Sequence, residues 1–373
     1  MEKIPLSIPY LNGNEWKYIK ECLDTNWVSS VGKYVEQFEE ELSDYVGVEH
    51  GVAMVNGTAA IHTALKVIGV EEGDKVLVPS LTFIASVNPI RYCGAEPVFI
   101  DSERRTYNID PEKTVTKIEE MVNNGDKPKA VIVVHLYGNP ADIDPILKVC
   151  NDYDIKVIED ATEALGSKYK NKMTGSLGDI GCFSFNGNKL ITTGGGGMIV
   201  TDNREYAEYA KYLSTQAKDD AENYIHNEVG YNYRLTNIQA AIGVAQLEQI
   251  DTFIARKREI AERYTFGLKK IDGVKVNKKK NWAYNNHWLY SILIDEDKFG
   301  ITSKELYKLL NEVGIMARPF FKPIHTMPMY QDYEADIKIA NILWEQGINL
   351  PCSVGIENKE VEEVITKIRK LKG

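Results

Sequence analysis

The sequence predicts an α/β protein: a large, mixed and mostly parallel sheet wrapped by helices, followed by a smaller α+β domain. Three observations predict it. Between about residue 50 and 200, short apolar runs alternate with longer amphipathic ones, the order expected of strands joined by crossover helices. The apolar runs are continuous and rich in Val and Ile rather than alternating, as strands buried on both faces are. The chain has 373 residues, more than one ordinary core accommodates, so two domains are expected, at 1–254 and 255–373.

The strand candidates are 76–79, 97–101, 130–136, 156–160, 182–185 and 198–201. Helical patterns cover 58–68, 84–93, 111–123 and 143–151. A long helical pattern from Leu235 through Ile242, Leu247 and Ile250 to Ile260 leads out of the sheet domain. Beyond it, 288–294 reads as a strand, and 303–313 and 359–370 as helices. No Pro/Gly/Ser-rich linker marks the boundary.

Composition excludes several classes. With 43% hydrophobic and 26% charged residues this is an ordinary globular composition. A net charge of -10 opposes non-specific nucleic-acid binding, which needs a basic face, while leaving room for a local anion site. The five cysteines are scattered and odd in number, a poor disulfide or zinc framework, so reduced thiols in a cytoplasmic protein are expected. No apolar run of about 18 residues suggests a membrane span, and the first residues do not resemble a signal peptide. No His, Cys and carboxylate spacing suggests a metal site.

Ligands of parallel sheets bind beyond the carboxyl ends of the strands, and four features fall there. Asn56-Gly57-Thr58 opens a helix: Gly57 permits a tight turn, Thr58 offers a cap or a hydroxyl, and the first-turn N–H groups form an anion site. Glu159-Asp160 closes a strand, where a carboxylate either caps the next element or pairs with a protonated ring nitrogen. Ser184-Phe185-Asn186-Gly187-Asn188-Lys189 is followed by the run Gly194 to Gly197. A lysine in a Gly-rich bend between apolar strands is oddly placed for a surface charge; desolvated, it is a nucleophilic amine toward an aldehyde. The glycines suit either close approach to a ligand or a flexible hairpin. Phe83, in Pro79-Ser80-Leu81-Thr82-Phe83, either stacks on a planar cofactor or fills the core. Of the histidines, His62 reads as packed, His135, His226 and His287 as structural or catalytic, and His325 as equally suited to either role.

Together these segments, with Gly230-Tyr231-Asn232-Tyr233-Arg234-Leu235-Thr236 and Arg318-Pro319-Phe320-Phe321-Lys322-Pro323-Ile324-His325, resemble the DegT/DnrJ/EryC1/StrS sugar aminotransferases. The resemblance runs in the family's order from Trp27-Val28-Ser29-Ser30 to His325. It implies the type I aminotransferase fold, pyridoxal 5'-phosphate (PLP) as cofactor, and a homodimer with shared active sites. Residue by residue it makes Lys189 the Schiff-base lysine, Asp160 the partner of the pyridine nitrogen and Phe83 the stacking ring. Gly57, Thr58 and Ser184 resemble the phosphate cradle, which Asn232, with Arg234 nearby, reaches from the neighbouring subunit. Glu163 stands where many members carry Gln or His, and Gly195 replaces an acid. Trp27, Ser29, Arg318 and His325 resemble substrate-pocket residues; Lys322 or Arg318 is either a diphosphate contact or a surface charge.

The substrates so implied are a nucleotide-linked 4-keto-6-deoxy sugar and glutamate. Two branches are closest: one aminating UDP-linked 2-acetamido sugars, which is preferred, and one making perosamine from a GDP-linked sugar. A dehydratase on the same scaffold would carry histidine at the Lys189 position, and a non-catalytic binder would have no use for the whole set.

Overall fold

The Val- and Ile-rich runs are strands of one central sheet in the computed structural model, which describes residues 3–220, 222–277 and 280–372. In chain order they are β1 (His50–Met54), β2 (Lys75–Pro79), β3 (Glu96–Ile100), β4 (Ala130–Val134) and β5 (Lys156–Asp160). A small hairpin, β6 (Lys168–Tyr169) and β7 (Lys172–Met173), precedes β8 (Ile180–Ser184) and β9 (Gly197–Thr201). The sheet order is β1-β9-β8-β5-β4-β2-β3. Neighbours are parallel except at β9, which is antiparallel to both β1 and β8. β4 and β9 are buried at every position, because helices cover both faces.

Around this sheet lie α1 (Glu15–Asp24), α2 (Lys33–Val46), α3 (Gly57–Val67), α4 (Asn88–Tyr92), α5 (Pro111–Asn123), α6 (Asp144–Asp152), α7 (Arg204–Ser214) and α8 (Asn237–Leu247). Their starts follow local chemistry. Asp110 accepts from the N–H groups of Glu112 and Lys113 ahead of Pro111, and Thr236 forms a reciprocal capping box with Gln239. The helix expected over 84–93 is instead a 3₁₀ turn, Ile84–Ser86, followed by α4. Pro89 lacks the N–H that a continuous helix would need there. The long pattern from Leu235 divides into α8 and α9 (Ile250–Leu268), with the chain turning at Gln249. β1 escapes the sequence pattern because Gly51 interrupts it; a Cβ there would sit 2.5 Å from the Glu39 carbonyl oxygen.

The C-terminal part forms a four-stranded antiparallel sheet in the order β10 (Val274–Val276), β12 (Tyr290–Ile294), β14 (Gly347–Leu350) and β13 (Arg318–Pro319). A further strand, β11 (Ala283–Tyr284), extends the β6–β7 hairpin. Helices α10 (Glu296–Phe299), α11 (Ser303–Glu312), α12 (Ile339–Gln346) and α13 (Asn358–Lys370) complete it. Within α9, Ile250, Phe253 and Ile254 pack into the cluster built with α2 and α8, whereas Ile260, Tyr264 and Leu268 pack into the core of the C-terminal part. Two segments cross over. Ile4 bridges to Ile315 in the C-terminal core, and Phe320, Ile324, Tyr330, Ile337, Ala340 and Leu343 belong to a cluster that joins the central sheet to Leu289 and Leu293. Among the described residues, no helix is long and apolar enough to cross a membrane.

Candidate active site

A cavity of about 340 Å³ opens beyond the carboxyl ends of β5 and β8, against the start of α3. Gly57 is the first residue of α3, and its N–H and that of Thr58 have no partner within the helix. A Cβ on Gly57 would lie 2.8 Å from Ser184 Cβ. Only glycine lets the helix start and the end of β8 meet this closely. The cap is Asn56, whose Oδ1 accepts from Ala59 N at 2.8 Å. Thr58 therefore does not cap the helix, a correction to the expectation; it sits one residue inside it and lines the cavity. Caps and the first helical turn share residue types, so two adjacent candidates are not separable by composition.

Asp160 and Glu159 end β5 side by side in sequence and face opposite ways, as strand alternation requires. The Asp160 carboxylate points into the cavity, where Ser86 Oγ donates to Oδ2 at 2.6 Å and Thr162 N to Oδ1 at 3.2 Å. Ser86 is itself 2.8 Å from Thr82 Oγ1. Glu159 is wholly buried behind the sheet and accepts from Gly175, Leu177 and Gly178 N–H groups and from His135 Nε2. His135 Nδ1 accepts from Ala141 N, which puts its proton on Nε2 and makes it a structural link.

Lys189 follows β8 in the turn 186–189 and reaches the cavity. Its Nζ lies 3.7 Å from Glu163 Oε1 and 4.1 Å from the centroid of the Trp288 ring. Burial lowers its pKa against the opposing pull of Glu163 and Asp160, which favours the nucleophilic free amine. Burial likewise pushes the Glu163 carboxyl up to about 7, although Lys189 and the Tyr137 N–H pull it down. That N–H donates to Glu163 Oε2 at 2.7 Å. It is held there by Tyr137's left-handed backbone, φ 55 and ψ 22, a costly conformation for an aromatic residue. The cavity thus holds an amine poised for a carbonyl, a carboxylate for a cationic ring, and a helix start for a phosphate.

The model of the DegT/DnrJ/EryC1/StrS aminotransferase family matches residues 9–369. This chain belongs to that family. The aminotransferase is 42% identical over 371 residues to the GDP-perosamine synthase of Caulobacter vibrioides, covering 99% of this chain and 98% of that one. It is 43% identical over 373 residues to the GDP-perosamine synthase of Escherichia coli O157:H7, covering 99% of each. Among solved structures, the PLP form of Streptococcus pneumoniae Spr1654 has a TM-score of 0.91 at 26% identity, covering 99% of this chain and 98% of that one. The protein is a PLP-dependent sugar aminotransferase with the fold its sequence implied. The relatives carry the name of the GDP-linked branch, placed second by sequence, rather than the UDP-linked one.

The aminotransferase does not bring every expected residue into this cavity. Phe83 lines it, half exposed, with its ring 5.5 Å from that of Phe321. Trp27 lines a separate surface recess beside Asn237, whose N–H donates to the Ser29 carbonyl. Asn232 is exposed and bridges to Thr215. Arg318 is exposed on β13, donating to the Ala317 carbonyl, and Lys322 is exposed near the Trp344 ring. His325 Nδ1 is 2.6 Å from Ser80 Oγ, and burial lowers its pKa. The Arg234 side chain turns inward, 3.8 Å from Glu39 Oε1, where its backbone bridges to Met54 of β1. His62 packs among the rings of Tyr92, Tyr231 and Tyr233, with burial taking its pKa down to about 4.

The glycine run is no loose hairpin. Gly194 has a φ of +80, and Cβ atoms at Gly196 and Gly197 would lie 2.2 Å from Thr193 Oγ1 and 2.5 Å from the Asn56 carbonyl oxygen. At Gly195 the same addition meets only Gln239 Nε2, at 3.8 Å, so the family's acid would fit there. Sequence reasoning missed Ser86, Tyr137, Trp288 and Phe321. The signal available for Ser86 was its place three residues after Phe83; Tyr137 and Trp288 had none beyond being aromatic near strand ends.

Proposed function

We propose that the protein is a GDP-perosamine synthase, transferring the amino group of glutamate to the ketone of a GDP-linked 4-keto-6-deoxymannose. The observation that carries the nucleotide and sugar is the identity of 42% and 43%, over essentially the whole chain, to two proteins of that name. The cavity around Lys189 supports the chemistry. Bound PLP supplies the aldehyde to which the amine attaches and a ring that takes up the electron pair left by proton removal.

The protein's residues do the rest. Lys189 would hold the cofactor through its amine, and that amine is the base placed to move a proton at the donor carbon. Asp160, fixed by Ser86 and Thr162, keeps the ring nitrogen protonated. The N–H groups of Gly57 and Thr58, with the hydroxyls of Thr58 and Ser184, bind the phosphate. Phe83 and Glu163 line the same cavity; Phe83 would stack on the ring and Glu163 would supply a carboxyl beside it. Asn232, Trp27 and Ser29, all exposed, suit a homodimer in which each chain completes the other's site, and Arg318 and His325, outside the Lys189 cavity, are assigned to remote parts of the substrate by their place in the family's motif.

A ring ketone lacks the α-carboxylate by which amino-acid substrates are gripped. Binding energy must then come from remote groups, and a nucleoside diphosphate supplies two phosphates and a base. The test is a panel of GDP-, UDP- and dTDP-linked 4-keto-6-deoxy sugars with glutamate, read by mass spectrometry. Amination of the GDP-linked sugar in preference to the others is expected, with free 4-keto sugar a very poor substrate. Selective amination of a UDP-linked sugar overturns the assignment.

A further inference from the structure

Trp288 is 3% exposed and fixed on every side, yet its ring faces the reactive amine. Its indole Nε1 donates to the Asn188 carbonyl at 2.7 Å, tying it to the residue before Lys189. Its backbone N–H donates to Asn286 Oδ1 at 2.8 Å. Its carbonyl accepts from the Nζ of Lys257, a fully buried lysine that also holds the Cys352 carbonyl. Its ring stacks near that of Tyr137, at 6.4 Å between centroids and 26° between planes. None of these hydrogen bonds uses an indole face, and Lys189 Nζ lies over the ring at 4.1 Å from its centroid. Glu163 Oε1 approaches the same amine at 3.7 Å, and Asp160 is the other charge that acts on it.

We propose that Trp288 is the positioning residue for Lys189: its indole face and the Glu163 carboxylate grip the ammonium between them whenever the amine is not bonded to the cofactor. This rests on the reading of Lys189 as the cofactor-bearing lysine. An indole face attracts a cation through its quadrupole, most strongly where water is excluded. It accepts no proton, so it holds the charge without competing for the hydrogen the amine must deliver. A second carboxylate in its place would hold the amine equally well and take that hydrogen away.

The experiment is competitive acetylation of Lys189 in the PLP-free protein across a pH series, read by peptide mass mapping against the exposed Lys20. Trp288→Leu removes the face. The midpoint of the Lys189 labelling profile then moves to lower pH, and labelling at neutral pH, relative to its own plateau, rises about tenfold. Greater access alone raises the plateau and leaves the midpoint in place. Trp288→Phe keeps an aromatic face and restores most of the midpoint; Trp288→Met serves if the leucine variant does not fold. An unmoved midpoint in a folded leucine or methionine variant overturns the proposal, as does an equal shift in the phenylalanine variant. Borohydride reduction of the PLP-loaded protein separates this from the reading beneath it. A pyridoxyl label on another lysine sinks the assignment of Lys189 itself, whereas a label on Lys189 with an unmoved midpoint sinks only the role of Trp288.

Discussion

Replacing Glu163 with glutamine removes a buried carboxyl whose proton affinity the fold raises into the neutral range. Burial is the main cause, Asp160 adds to it, and Lys189 with the Tyr137 N–H opposes it, leaving the group at about 7 against its ordinary 4.5. Each pH unit of that difference is worth about 1.4 kcal/mol, so holding Glu163 ionised in the folded chain costs on the order of 3 kcal/mol. Because the folded value is the higher one, the native state binds the extra proton. Stability from this group is full below 4.5, falls as pH rises, and is lost once pH passes about 7. Glutamine does not titrate, so its curve lacks that descent. Lys189 loses its carboxylate partner in the variant, which offsets part of the gain. Melting temperatures of the PLP-free proteins from pH 5 to pH 8 are the assay. The glutamine variant should gain on wild type through this window and hold a constant difference above it. Two parallel curves would refute the reasoning.

Three further outcomes are expected. Asp160→Asn should fold normally, because the Ser86–Thr82 hydroxyl pair can reverse its donors to suit an amide, yet single-turnover proton removal from glutamate should slow; an unchanged rate would reduce Asp160 to a structural acceptor. Gly57→Ala should weaken PLP binding measurably in equilibrium titration, since the added Cβ meets Ser184 Cβ at 2.8 Å and such overpacking costs about 1–3 kcal/mol. Glu159→Ala should lower the melting temperature far more than Asp160→Asn, because three N–H groups and His135 lose their acceptor, each unsatisfied group costing about 1–3 kcal/mol.

The chemistry at strand ends was legible because one residue type at one topological position carries it. Gly57, Asp160, Ser184 and Lys189 all lie on or beside elements of the central sheet region, on segments whose patterns are strong. The partners of Lys189 were less so: Trp288 stands 99 positions downstream in sequence numbering, and contacts of that span leave no local trace. Glu159 and Asp160 read as a pair, and only the pleat of β5 assigns one to the loop behind the sheet and the other to the cavity. β13 was illegible for a different reason. It is two residues long and contains Pro319, which is tolerated because β13 sits at the sheet edge.

The crossing segment from Phe320 to Leu343 decides how the site exchanges its contents. Pulling this segment away from the central sheet would expose those of its side chains that pack there, at about 1.5–3 kcal/mol for each of the larger ones. A substrate bound at millimolar strength returns only about 4 kcal/mol. Opening by a hinge at that segment would therefore cost more than such a substrate returns, and the half-exposed ring of Phe83 beside Phe321 is the apolar part of the cavity lining most open to solvent in one chain. The expected consequence is that small-angle scattering of the PLP-loaded protein gives the same radius of gyration with and without substrate.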